Sequence, residues 1–182
     1  LIRQLKDSND RLYDDKDRLL RITFDFYTQL YTPTPTDPQT QAKLLRNVTK
    51  TLTHADRLFL DKPITLQELN SAVKSLKDNK SPGIDGIPAE FFKQFWSLID
   101  KRYLDYLNEV QKTSLDEWKN TSLTTLIFKN KGSRDDIANY RPISLINTDV
   151  KILTKVLTNR LKRVLPSIIH PSQTAVQGRR ID

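Results

Sequence analysis

Apolar residues recur at helical spacing along most of this 182-residue chain, and that pattern confines it to helix-rich folds. The strongest run lies at 89–112, where Phe92, Phe95, Trp96, Ile99, Tyr103, Leu107 and Val110 make one broad stripe. A stripe of that width needs a partner surface and reads as core. The first 31 residues carry Leu5, Leu12, Leu19 and Phe26 at seven-residue steps, extended by Tyr27, Leu30 and Tyr31. They are expected to form one amphipathic connector helix over 1–31. Pro33, Pro35 and Pro38 then remove backbone donors and favour extended chain, which sets a boundary. Residues 32–62 read as a linker followed by a weaker helix at 39–60. Thr65 and Glu68 have the spacing of a capping box ahead of Leu69, Val73 and Leu76. Val150, Leu153, Leu157, Leu161 and Val164 predict a last helix over 148–165, closed by Pro166 and Pro171.

Extended character shows in two stretches. Residues 122–128 precede a turn at Lys131-Gly132, and 142–146 follow it, so the two are expected to pair antiparallel. The fold class is therefore α+β, mostly helical with a small antiparallel sheet.

Composition narrows the function classes. A hydrophobic share of 37% suits a piece with much solvated surface, as does a mean hydropathy of −0.57. A start at Leu1 and an end at Asp182 suggest an excerpt of a longer polypeptide. Cysteine is absent, which excludes disulfides and cysteine zinc sites and fits a reducing compartment. His54 and His170 have no ligand-like spacing. No apolar run approaches the roughly 20 residues of a membrane helix, and the first residues are too charged for a signal peptide. The net charge of +8 is uneven. Residues 141–182 hold Arg141, Lys151, Lys155, Arg160, Lys162, Arg163, Arg179 and Arg180 against Asp149 and Asp182 alone. That concentration suits a polyanion, of which a phosphate backbone is the commonest. Each of the four glycines stands in an expected loop near a lysine or arginine, where backbone approaches a phosphate closely.

The order of these segments carries a resemblance. Lys80-Ser81-Pro82-Gly83-Ile84-Asp85-Gly86-Ile87-Pro88 is followed by Phe128-Lys129-Asn130-Lys131-Gly132 and by Asn139-Tyr140-Arg141-Pro142-Ile143-Ser144-Leu145. Asp149-Val150-Lys151-Ile152-Leu153 and Asn159-Arg160-Leu161 come next, then His170-Pro171-Ser172-Gln173 and Gly178-Arg179. The series resembles the early motifs of LINE-type, non-LTR retrotransposon reverse transcriptases. The likeness runs over 63–182 and is weaker before it. One departure is visible: the family's Gln-x-Gly-Phe-x-x-Gly-Arg is one residue shorter here, with Ala175 and Val176 in place of the glycine and the aromatic residue.

The resemblance implies a fingers region and the start of a palm over 63–182, incomplete without the rest of the palm. It implies an RNA-directed DNA polymerase, a nucleotidyltransferase acting on an RNA template, a DNA primer and deoxynucleoside triphosphates. Arg141 would face the triphosphate, with Lys129 or Lys131 as a second cation. Arginine suits the task because its planar fork holds two phosphate oxygens and stays charged. Lys80, Pro82, Gly83, Gly86, Lys151, Lys155, Arg160, Arg163, Gly178 and Arg179 would contact nucleic acid. Asp85 reads better as a turn carboxylate bonded to its own backbone than as a metal ligand.

No catalytic residue and no metal ligand is assigned to this chain. Mg2+ is expected for the full-length polymerase, held by aspartates of the palm. Tyr13-Asp14-Asp15 imitates half of their motif, but it precedes the other motifs and reads as a solvated helix face. Further expected partners are the palm, thumb and an endonuclease domain of the same polypeptide, with no membrane. The expected location is intracellular, in nucleus and cytoplasm. The alternatives are a non-catalytic nucleic-acid-binding module descended from a reverse transcriptase, and a helical interaction protein. A steep salt dependence of RNA binding separates the first two readings from the third.

Overall fold

The computed structural model describes residues 2–113 and 121–169. The motif containing Gly178 and Arg179, and the expected stop at Pro171, lie outside them. Among the described residues are six helices and two small two-stranded antiparallel sheets, an α+β fold dominated by helix. The chain divides into two compact units, each built from two separate stretches.

The first unit comprises residues 1–41 and 124–144. It opens on a hairpin of β1 (Leu5–Lys6) and β2 (Leu12–Tyr13), with Leu5 opposite Tyr13 and Lys6 opposite Leu12. This corrects the expected helix over 1–31. Asp7-Ser8-Asn9-Asp10 turns the chain, because the Asp7 carboxylate accepts from the N–H groups of Asn9 and Arg11 at 2.8 and 3.0 Å. Such local side-chain bonds compete with helix. Leu5 is fully buried and Leu12 is 51% exposed, so their seven-residue spacing marks no shared face.

Helix α1 (Lys16–Tyr31) starts where Asp15 accepts from Arg18 N–H at 2.9 Å, and it ends just before Pro33. Its inner face, with Leu19, Ile22, Phe26 and Tyr27, packs around Leu5, Ile137 and Tyr140. Strand β3 (Leu123–Phe128) belongs to the second sheet with β4 (Tyr140–Leu145), which is the expected pair with its second strand starting two residues earlier. Leu126 and Phe128 pack on the same cluster.

Two short helices replace the one expected at 39–60: α2 (Pro38–Leu45) and α3 (His54–Asp61). Thr53 and Asp56 form a capping box, and that start signal breaks the run.

The second unit comprises 42–123 and 145–182. Its core joins α4 (Leu66–Lys74), α5 (Ala89–Val110) and α6 (Thr148–Ile168) through Leu69, Ala72, Phe92, Leu107, Ile152 and Val156. Fully burying each larger side chain of this set stabilises by roughly 1.5–3 kcal/mol. The Thr65–Glu68 capping box is present as expected, at 3.3 and 3.0 Å. Helix α6 runs past Pro166 to Ile168, beyond the expected stop. Ile169 N–H still bonds Leu165 O at 2.9 Å, so the proline removes only its own donor from the last turn. Phe91, Phe95 and Leu98 of α5 and Leu157 and Leu161 of α6 remain exposed. No helix among the described residues is long and apolar enough to cross a membrane.

Candidate nucleic-acid and nucleotide interface

The first unit places Lys129, Lys131 and Arg141 on and beside the β3–β4 hairpin. Tyr140 turns inward, and the alternation of β4 turns Arg141 outward. Ile127 and Ile143 are exposed as well. Among the described residues the Arg141 guanidinium has no hydrogen-bond or ion-pair partner. The two acids near it in sequence are committed: Asp135 faces Lys6 at 3.8 Å, and Asp136 accepts from Ala138 N–H at 2.8 Å. Lys129 Nζ donates to Ala138 O at 2.7 Å, whereas the exposed Lys131 has no such tie among the described residues.

The second unit shapes the loop of the first motif. Gly86 N–H bonds Gly83 O at 3.2 Å, closing a turn, and Gly86 itself sits at φ +71°, which favours glycine. Asp85 Oδ1 accepts from Ile87 N–H at 3.0 Å, the turn role expected of that carboxylate. Ile84 stands at the tip, 60% exposed. The N–H groups of Gly83 and Ile84 have no partner among the described residues, and Pro82 has no N–H to offer. Lys80 is exposed, and Lys93 pairs with Asp78 at 2.6 Å on the loop's near side.

The first turn of α6 holds this loop from behind. Thr148 Oγ1 donates to Ile87 O at 2.7 Å, and Lys151 Nζ donates to Ser81 O at 2.9 Å. Asn147 Oδ1 accepts from Asp85 N–H at 3.4 Å. Gly83 lies so close that a Cβ there would overlap the Asn147 side-chain oxygen and backbone. That turn is itself fixed, since Tyr103 donates to Asp149 O at 2.6 Å. Burial pushes the Tyr103 hydroxyl far above its ordinary pKa, so it remains a donor. Lys155, one turn further along α6, is half-buried and unpaired among the described residues.

Two expected contacts change meaning. Arg160 is 2% exposed, and all five of its N–H donors are used. Nε and Nη2 bond Glu68 at 2.8 and 2.9 Å, Nη1 bonds Leu60 O and Lys62 O at 2.9 and 2.6 Å, and Nη2 also bonds Pro63 O at 2.9 Å. It has nothing left for a phosphate, so the structure removes it from the nucleic-acid set. Arg163 lays its guanidinium on the Phe59 ring at 4.3 Å, with Lys62 Nζ also over that ring at 4.6 Å. Stacking spends the plane of Arg163 and leaves its edges.

Retrotransposon proteins are similar to this chain. Over 157 residues the chain is 36% identical to the Transposon TX1 uncharacterized 149 kDa protein of Xenopus laevis, covering 86% of this chain and 12% of that protein. Over 119 residues it is 31% identical to the Retrovirus-related Pol polyprotein from type-1 retrotransposable element R1 of Bradysia coprophila, covering 62% and 12%. Over 117 residues it is 31% identical to the Probable RNA-directed DNA polymerase from transposon BS of Drosophila melanogaster, covering 58% and 12%. The chain is a homologue of LINE-type, non-LTR retrotransposon proteins.

No family profile matches the chain. It spans about an eighth of each of these retrotransposon relatives. Among the described residues no group of three or more His, Cys, Asp or Glu gathers to hold a metal ion. Tyr13-Asp14-Asp15 follows suit. It stands at the end of β2 rather than on a helix face, and Asp15 is spent as the N-cap of α1. These residues do not fit a Mg2+ site. Sequence reasoning missed Asn147, Thr148 and Tyr103. Only Asn147-Thr148 carried a local signal, that of a helix start, and the structure spends both side chains on the loop instead.

Proposed function

We propose that this chain is the template- and nucleotide-contacting front part of an RNA-directed DNA polymerase of a non-LTR retrotransposon. The observation that carries the reading is the pairing of that homology with cationic groups left unneutralised on two separate scaffolds. On the hairpin, Arg141 and Lys131 have no carboxylate partner among the described residues and suit the triphosphate of an incoming deoxynucleotide. On the loop, the free N–H groups of Gly83 and Ile84 suit the phosphates or sugars of a template strand, with Lys80, Lys151 and Lys155 adding charge. Backbone contacts of this kind position a strand without reading its sequence. The reaction is attack of a primer hydroxyl on the α-phosphorus with loss of pyrophosphate. Its main obstacle is accumulated negative charge, and the task assigned to this chain is to offset that charge and hold the template. The partners in this reading are an RNA template, a DNA primer, deoxynucleoside triphosphates and the remainder of the same polypeptide.

The test is the salt dependence of binding to an RNA–DNA hybrid with an RNA overhang, followed by fluorescence anisotropy. Affinity should fall steeply with salt, and Lys80→Ala should flatten the log–log slope by about 0.7–0.9, one phosphate contact. Ile84→Pro deletes an N–H at a turn position that tolerates proline. It should weaken binding about fivefold, near one hydrogen bond, and leave the slope unchanged. Salt-independent binding, or full affinity in both variants, would sink the reading.

A further inference from the structure

We infer that Asn147 is a positioning residue for nucleic-acid binding: it sets the shape of the loop at 81–87 so that the Gly83 and Ile84 amides face a bound strand. The inference rests on the template role proposed for that loop. Three observations carry it. Asn147 is 0% exposed and is the N-cap residue of α6, yet its side chain makes no capping bond. Its Oδ1 goes instead to Asp85 N–H, in the middle of the turn. Its Nδ2 is buried with no hydrogen-bond partner among the described residues, so stability alone does not account for asparagine here. A serine would suit the N-cap position and bury less polar surface.

Asn147 is also the surface against which the loop is seated. Gly83 approaches it too closely for any side chain. Ser81, Asp85 and Ile87 are each tied to the turn at 147–151, by Lys151, Asn147 and Thr148. Tyr103 fixes that turn in place. The loop is therefore organised before any strand arrives, and binding costs less ordering entropy than a free loop would impose. Without the Asn147 acceptor, Asp85 N–H is released and the Gly83–Gly86 turn can rotate. The two free amides then lose their common direction.

The test uses Asn147→Ser, which places a residue suited to an N-cap there and withdraws the acceptor from Asp85. Two quantities are measured: hybrid affinity by anisotropy, and residue-level amide hydrogen exchange. The expected result is affinity weakened five- to tenfold, with faster exchange at Asp85 and unchanged exchange at Leu69 and Leu107 in the core. Faster exchange at Asp85 with unchanged affinity would overturn the inference, and so would unchanged exchange at Asp85. If Asn147→Ser loosens the core as well, Thr148→Val decides. It removes the bond to Ile87 at nearly constant volume and must weaken binding with exchange raised only at 84–87; a global rise or full affinity overturns the inference. Ile84→Pro separates the two levels of the argument. If it binds normally, the loop reading fails and the inference fails with it. If it binds weakly while Asn147→Ser binds normally, only the inference fails.

Discussion

Replacing Arg160 with methionine should lower the unfolding free energy by about 3–5 kcal/mol, the usual cost of breaking a buried ion pair from one side. The guanidinium links three segments of the second unit. From α6 it bonds the Glu68 carboxylate at the start of α4, the Leu60 carbonyl near the end of α3, and the Lys62 and Pro63 carbonyls between those two helices. Methionine fills much of the volume but leaves those carbonyls without a donor in a poorly hydrated site, each a further loss. Lysine should rescue little, because three donors on a point charge cannot serve a carboxylate and three carbonyls at once. Urea denaturation followed by far-UV circular dichroism reads the difference. A loss under about 1 kcal/mol would place Arg160 among ordinary surface arginines.

The same bond predicts a pH dependence. The Arg160 guanidinium, with help from Thr65, holds the Glu68 carboxyl down to about 2 from an ordinary 4.5. Its folded pKa is depressed, so this contribution is complete above about pH 4.5 and is lost as the pH falls towards 2. In Arg160→Met the main cause of the depression is gone. The stability gap between wild type and variant should therefore narrow between pH 4.5 and pH 2. A gap that stays constant across that range would show that the carboxylate is not the main partner.

How far the sequence was legible follows from the range of each interaction. The stripe of α5, the Thr65–Glu68 box and the Asp85 turn were readable because their causes lie within a few residues. The hairpin at 5–13 was not, because Leu5 and Leu12 imitate a helical repeat while Asp7 bonds the turn between them. Arg160 was misread for a different reason. A basic residue between apolar helix positions is ordinarily solvated, and the carboxylate that buries this one is 92 positions away. Asn147 poses the same problem, with its partner Asp85 62 positions away. Spacing within an element signals its buried face; it does not signal which polar side chain will be enclosed by a distant segment. The hairpin cations were the favourable case. Their segment was expected as two extended stretches at 122–128 and 142–146 around the Lys131-Gly132 turn, and β4 starts two residues earlier, so that it includes Arg141.

Arg141→Ala should reduce the affinity of the chain for a deoxynucleoside triphosphate about ten- to a hundredfold, equivalent to about 1.5–3 kcal/mol for charge-assisted hydrogen bonds. The prediction rests on what Arg141 does not touch. Asp135 is drawn to Lys6, Asp136 caps the short 3-10 turn at Ile137–Asn139, and no other carboxylate among the described residues bonds the guanidinium. An arginine already paired would have to exchange one anion for another, with little net gain. A free one on an exposed strand loses only hydration and rotamer freedom. Arg141→Lys should recover a minor part, since charge is kept and the two-pronged geometry is lost. Lys131→Ala should cost less than Arg141→Ala, and Lys129→Ala least, because the Lys129 ammonium already serves Ala138 O. Chemical-shift titration of the hairpin amides with triphosphate, alongside thermal melts, checks all four variants. Equal affinities in wild type and Arg141→Ala, with unchanged melts, would mean that this exposed guanidinium is only solvated. Loss of affinity in Arg141→Ala with no change in the melt would assign it to the phosphates.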